Sequence, residues 1–429
     1  MKIDFSINEE ELKDLKEKTK EVVELLKEGV KKTCVDADIF VGGSFAKGTL
    51  GKSEEYDPEN RKFSGSQPRE GGHDIDIFVR FDWKYENLED YLDKIIKVAG
   101  KNGWKVDMIH GSRDYFRLYK DKKIVFEIIP VLRIRKPREA RNVTDLSYFH
   151  VNYVKRNLRK KMKEEVLMAK KFCKANGIYG AESYINGFSG YGLECLIINY
   201  GKFEKMLREL VKVKERIILD PAKLHGKKED VLFELNEGKL HSPIILIDPT
   251  WKERNVLAAL NMEAFRKFQE QAKEYLKNPS ARHFEIKEFD ASKLEKKAKQ
   301  KKAEFVHLVL ETDKQEGDIA GTKMKKFVRF LERELERYFE VLDGEFVYDL
   351  GQRADAYFIL KSKREIVRIG PSLKMKEDVS RFRKKNKKTF VKNGLLHARI
   401  KVDFIGKEFL RKFDKWKMKE MGITEMRII

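Results

Sequence analysis

The chain has 429 residues, of which 41% are hydrophobic and 38% charged, with a formal net charge of +21 and a pI near 9.5. That length suits two to four domains at roughly 100–200 residues each, and no apolar run of about 18 residues provides a membrane-spanning helix. Three scattered cysteines (Cys34, Cys173, Cys195) form no CxxC pair; with no apolar signal core at the N-terminus, they suit a reducing cytoplasmic setting and argue against a disulfide framework or zinc site. So basic a chain attracts polyanions, because each lysine or arginine that meets a phosphate releases condensed counterions. Nucleic acid is the favoured partner ahead of a membrane surface, although a merely lysine-rich composition gives the same charge.

In chain order, residues 8–32 carry an apolar stripe of Leu12, Leu15, Val22, Leu25 and Leu26 among charges, which predicts a helix. A short strand at Ile39-Phe40-Val41 runs into Gly42-Gly43, and the Gly-, Ser-, Pro- and charge-rich stretch 51–73 reads as a loop. A strand over Ile75–Phe81, a helix over Leu88–Ala99 and two facing strands at Tyr115–Tyr119 and Ile124–Ile129 complete a mixed head, residues 1–150. Residues 151–280 read as a helical neck, with helices over Val154–Ala175, Tyr191–Tyr200, Phe203–Val213 and Asn255–Leu276. A strand at 304–312, a helix at 321–341 and strands at Phe346–Leu350 and Ala356–Leu360 suggest a small ferredoxin-like α+β body within 281–400. A basic run over Arg381–Lys388 follows, and residues 401–429 read as a shortened tail with a helix near 406–420. The fold class is therefore α+β.

Chemistry concentrates in the head. Asp74 and Asp76 lie two apart at the start of a strand, so both aim at one face with Ile75 behind them. Glu127 alternates with apolar neighbours on a later strand and could supply a third carboxylate. Three hard oxygen ligands at a strand edge suit Mg2+, which takes a few carboxylates plus water and substrate phosphates. Two such ions could activate a 3′-hydroxyl and stabilise leaving pyrophosphate. Gly43 and Ser44 follow a strand and precede a short helix, where backbone amides can cradle a triphosphate; the Ser44 hydroxyl adds a donor and Lys47 a charge. Each piece alone also fits a solvated face or an ordinary turn. Taken in order, the set resembles the signature of the DNA polymerase β-type nucleotidyltransferase superfamily.

Further along, Lys174-Ala175-Asn176-Gly177-Ile178-Tyr179-Gly180-Ala181-Glu182 runs on to Gly187-Phe188-Ser189-Gly190-Tyr191. By local rules this is a helix end capped by Asn-Gly, a loop and a new helix. In order and wording it resembles the neck of the archaeal-type (class I) CCA-adding enzymes, as do Asp248-Pro249 with Lys252-Glu253-Arg254-Asn255-Val256, and Arg368-Ile369-Gly370-Pro371. The resemblance implies a tRNA nucleotidyltransferase that adds C, C and A to the tRNA 3′ end from CTP and ATP, with Mg2+ as cofactor and a homodimer as assembly. It implies Asp74, Asp76 and Glu127 as metal ligands and catalytic carboxylates. It places Gly43, Ser44, Lys47, His150, Lys170, Tyr179 and Arg254 around the nucleotide, with Arg254 reading the base. Taken alone, His150 also reads as a core or capping histidine, Lys170 as a solvated helix lysine and Tyr179 as a core aromatic. Lys374, Lys376, Arg381, Arg383, Lys384 and Lys385 are candidates for the RNA backbone, and equally form a solvated basic face.

Three features depart from the family pattern: the long 51–73 link, glutamate rather than aspartate at 127, and a short stretch after Arg399. Two other readings stand beside CCA addition. One is a related enzyme with a poly(A)-type, C-only or A-only product; the other is a non-catalytic RNA-binding protein. The Asp74/Asp76 pair speaks against the latter, since clustered carboxylates repel RNA phosphate unless a metal lies between.

Overall fold

The computed structural model describes residues 5–52, 72–100, 103–120, 123–286 and 289–429. The chain divides into two compact units, Met1–Lys287 and Glu288–Ile429. No helix among the described residues is long and apolar enough to cross a membrane.

The first unit opens with α1 (Glu9–Thr33), whose Asn8 side chain accepts the Glu11 amide and whose buried stripe includes Leu15, Val22 and Leu26. Then follow β1 (Ala37–Val41), α2 (Gly43–Lys47), β2 (His73–Phe81), α3 (Leu88–Gly100), β3 (Lys105–Ile109), β4 (Tyr115–Tyr119) and β5 (Ile124–Leu132). The described strands form a mixed sheet in the order β1-β2-β5-β4-β3, with β2 and β5 parallel in its middle. Those two alternate buried and half-buried residues, so Ile75, Ile77, Phe126 and Ile128 enter the core beneath α1 and α3, and the carboxylates take the other face. β3 escapes sequence reading because it is a short, largely exposed strand at the sheet edge. Most of the predicted 51–73 loop, residues 53–71, lies outside the described residues.

The neck comprises α4 (Ser147–Asn157), α5 (Lys160–Ala175), α6 (Gly190–Tyr200), α7 (Phe203–Val211), β6 (Ile217–Leu219), α8 (Lys228–Glu234), β7 (Ile244–Asp248), β8 (Trp251–Asn255) and α9 (Met262–Lys277). Two expected helices are corrected. The single helix over Val154–Ala175 is broken: the Asn157 amide bonds the Tyr153 carbonyl, Leu158 turns extended, and its side chain drops into the neck core. The helix expected from Asn255 starts only after Asn261, whose side chain caps the Ala264 amide. Asn255 is committed elsewhere: buried, it accepts the Leu246 and Leu257 amides and donates to the Lys239 carbonyl, which ties β8 to β7.

The second unit contains α10 (Ala291–Gln300), β9 (Glu304–Glu311), α11 (Asp318–Glu336), β10 (Phe339–Tyr348), β11 (Arg353–Ser362), β12 (Glu365–Ser372), α12 (Lys376–Lys385), β13 (Thr389–Lys392), β14 (Leu395–Lys401), α13 (Gly406–Arg411), α14 (Lys415–Glu420) and β15 (Glu425–Ile428). Its main sheet has the order β10-β11-β9-β15, with neighbouring strands antiparallel. That is the ferredoxin-like order expected from the strand–helix–strand–strand pattern. The helix predicted for 321–341 gives way to β10 at Phe339, which pairs with Ser362. Between β11 and α13 a second sheet, β12-β14-β13, is inserted. Residues 401–429, read as a tail, supply α13, α14 and β15, and β15 pairs along β9.

Candidate active site

Strand register builds the acidic centre. Asp76 pairs with Glu127 across β2 and β5, and Glu127 pairs with Arg117 across β5 and β4, so the three residues run in a row across the sheet. Asp74 lies on the same face two residues back. Arg117 Nε donates to Glu127 Oε1 at 3.1 Å, a charge partner that the sequence reading missed. No three His, Cys, Asp or Glu side chains among the described residues stand close enough to hold a metal ion between them. The donor set still fits Mg2+, which dehydrates reluctantly and is typically held by one or two carboxylates plus substrate phosphates, not by an all-protein cage.

The glycine turn closes over this face. The Gly42 amide donates to the Asp76 carbonyl at 2.8 Å. A Cβ on Gly42 would meet the Phe78 ring at 2.2 Å, and one on Gly43 would lie 1.7 Å from Asp76 Oδ2. Gly43 also has φ +57°, the left-handed region. Both glycines are therefore needed for close backbone approach. Ser44 sits half-buried early in α2, beside the acidic face.

The two lysines assigned to the nucleotide site lead to a third, unforeseen residue. Lys47 Nζ lies 2.6 Å from Glu194 Oε2, and Lys170 Nζ lies 2.9 Å from Glu194 Oε1. The Thr49 hydroxyl donates to the same Oε1 at 2.6 Å, and Lys170 also donates to the Thr49 carbonyl at 3.2 Å. Glu194 is fully buried on α6. Burial pushes its carboxyl up, but the Lys170 and Lys47 charges and hydrogen bonds from Lys47 and Thr49 outweigh it and bring it down to about 2. Lys170 is thus no solvated helix lysine.

His150 and Arg254 converge on another buried carboxylate, Asp248 at the end of β7. His150 Nε2 lies 3.0 Å from Asp248 Oδ2, and Arg254 donates to that oxygen at 2.7 Å. Tyr191 and Thr250 hydroxyls donate to Oδ1 at 3.1 and 2.7 Å. The His150 ring stacks on Tyr191 with centroids 4.1 Å apart. Burial pushes the His150 imidazole below its ordinary value despite Asp248. Because a carboxylate only accepts, Nε2 carries the proton in this pair. Burial also opposes the Asp248 charge, yet His150 and Arg254 hold that carboxyl well below the usual range. Lys47 Nζ stands 5.7 Å from the Tyr191 ring centroid, so the two networks adjoin.

Tyr179 belongs to the turn between α5 and α6. It bridges to Phe188, while the Ile178 and Gly180 backbone groups bond across the same pair. A Cβ on Gly190 would come within 2.8 Å of the Tyr179 hydroxyl, and Lys174 Nζ lies 5.4 Å from its ring centroid. Burial pushes the phenol up. In the second unit Lys374, Lys376, Arg381, Arg383, Lys384 and Lys385 are all exposed along and before α12, with Arg381 also paired to Asp378 and Glu377.

The sequence reading missed Glu194, Asp248 as a hub, Tyr191, Thr49 and Arg117. Glu194 had a signal: a charged residue inside the otherwise apolar stretch 193–198 of a helix, where burial demands a partner.

Residues 164–285, which hold Lys170, Tyr179, Glu194, Asp248 and Arg254, match the family model for the second domain of tRNA nucleotidyltransferases. The chain is similar to a CCA-adding enzyme of Nanoarchaeum equitans, 38% identical over 252 residues, spanning 58% of this chain and 58% of that protein's length. A CCA-adding enzyme of Saccharolobus islandicus is 33% identical over 344 residues, 79% of this chain and 74% of the relative. A solved cytoplasmic RNA terminal U-transferase aligns at a TM-score of 0.47 and 14% identity, over 67% of this chain and 96% of that one. On the sequence similarity, the chain belongs to the CCA-adding enzyme family of tRNA nucleotidyltransferases.

Proposed function

We propose that this protein adds C, C and A to the 3′ end of tRNA from CTP and ATP, without a nucleic-acid template and with release of pyrophosphate, in the cytoplasm. The observation that carries this reading is the row Asp76–Glu127 on paired strands, with Asp74 on the same face and the Gly43 turn directly over Asp76. Asp74 and Asp76 would hold Mg2+, with Glu127 as the third carboxylate. When bound, the metal lowers the cost of ionising the attacking hydroxyl and of charge on the departing phosphate. Arg117 holds Glu127 in line, which accommodates a side chain one methylene longer than aspartate. The Gly43–Ser44 backbone and the Lys47 and Lys170 ammonium groups supply positive charge and donors for a triphosphate.

Base selection falls to Arg254. Its planar fork has one arm fixed on Asp248, so its remaining N–H groups keep a set direction. A pyrimidine or purine that leaves those donors unpaired is rejected at the cost of the unmade bonds. RNA is held through backbone and shape, and the α12 cations are suited to phosphate.

The test is to incubate the protein with Mg2+, each labelled nucleotide and tRNAs ending before C, after C and after CC, then sequence the ends. Stepwise C, C, A addition is expected; A alone or C alone would identify a partial polymerase, and no incorporation an RNA-binding protein. Asp76→Asn is expected to abolish addition while tRNA binding is kept or strengthened, because one negative charge facing the RNA is removed. Wild-type turnover in that variant would overturn the metal assignment.

A further inference from the structure

The two lysines proposed to meet the nucleotide come from different elements, Lys47 from the end of α2 and Lys170 from α5, yet both end on one carboxylate carried by α6. The Lys47 and Lys170 side chains are 9% and 10% exposed and that of Glu194 is 0% exposed. Ammonium groups this dry are costly to keep charged without a counter-charge. Glu194 supplies that charge before any nucleotide arrives, and Thr49 donates to its Oε1. The same carboxylate thereby joins the head, through Lys47 and Thr49, to the neck, through Lys170.

We infer that Glu194 is a positioning residue for nucleotide binding: a buried counter-ion that keeps Lys47 and Lys170 charged, aligned and close together, so that an incoming triphosphate meets two ordered cations. Each carboxylate oxygen holds one lysine. An ammonium carries three donors, so Lys47 can bond phosphate oxygens while still paired, and Lys170 adds its charge from behind. Glu194 itself touches no reacting atom and acts only through the two lysines. This role rests on the nucleotidyltransferase reading above.

The test uses the full-length protein and measures CTP and ATP affinity by equilibrium dialysis, alongside KM and kcat. Glu194→Gln is expected to weaken nucleotide binding about 10-fold or more, the worth of one charge-assisted hydrogen bond, mainly in KM. Glu194→Asp keeps the charge but withdraws it by one methylene, and should also weaken binding, by less. The deciding measurement is a double-mutant cycle with Lys47→Gln. If Glu194 acts through the lysines, the double variant loses less than the product of the two single losses; if it serves only stability, the two losses multiply. Unchanged or tighter nucleotide binding in both Glu194 variants, or multiplicative losses, would overturn the inference. Failure of the wild-type protein to bind either nucleotide would instead overturn the function proposed above.

Discussion

Asp76, a proposed metal ligand, is enclosed on more than one side. Its carbonyl takes the Gly42 amide, its carboxylate lies under Gly43, and Glu127 flanks it in register. Crowding of this kind leaves no room for a methyl group, so Gly43→Ala must shift the turn or the carboxylate and also strain a left-handed backbone. We expect kcat to fall about 100-fold, the usual cost of displacing a reacting group by roughly an ångström, with tRNA affinity unchanged in a filter-binding assay. At Glu194 the folded carboxyl lies at about 2, below its ordinary 4.5. A lowered value means the pairing stabilises the fold fully above pH 4.5 and loses that contribution as the pH falls from 4.5 through about 2. Urea melts should therefore show a constant stability gap between wild type and Glu194→Gln from about pH 7 to about pH 5, and a shrinking one near pH 3. A gap that stays constant down to that acid end would count against a charged Glu194.

At the scale of elements, the neck is shaped by where its helices stop. The Asn157 bond to the Tyr153 carbonyl and the extended Leu158 end α4, which lets α5 start afresh and bring Lys170 to Glu194. Leu158 is 7% exposed within the neck core, so Leu158→Ala should cost about 2–4 kcal/mol in chemical denaturation. Asn261 sets the start of α9 by capping Ala264; Asn261→Ala should cost about 1 kcal/mol without changing CTP affinity, because α9 packs against α7 and carries none of the residues assigned to the nucleotide. β7 and β8 carry Asp248 and Arg254, while α9 contributes only to the neck core.

At the scale of the molecule, the proposed functions divide between the two units. The acidic centre and both buried carboxylate hubs lie within Met1–Lys287, and the α12 cations lie within Glu288–Ile429. Each unit has its own buried residues, Phe172 and Phe268 in the first and Leu308, Phe327 and Ile359 in the second. Replacing Lys374, Lys376, Arg383 and Lys384 together by Gln is expected to lower tRNA affinity and reduce the slope of log K against log salt by up to about 1 for each phosphate no longer neutralised. CTP affinity should not change. An unaltered salt slope would make this a solvated face.

Elements and the placement of the candidate carboxylates on them were legible in the order of residues. Period-two alternation put Asp74, Asp76 and Glu127 on strands, the apolar stripe marked α1, and the strand–helix–strand–strand order indicated the topology of the second unit, because these depend on neighbours a few residues apart. Motif wording in the neck pointed to Lys170, Tyr179 and Arg254 one residue at a time. Which charges meet was settled by folding alone. Lys47 and Glu194 lie 147 residues apart, His150 and Asp248 lie 98 apart, and no local pattern links them. The row of Asp76, Glu127 and Arg117 likewise exists only once β2, β5 and β4 take their register. The paired acids could thus be read directly as a strand motif, whereas the buried carboxylates that order the basic half of the site come from packing, since a charge can be buried only where the fold brings it a partner.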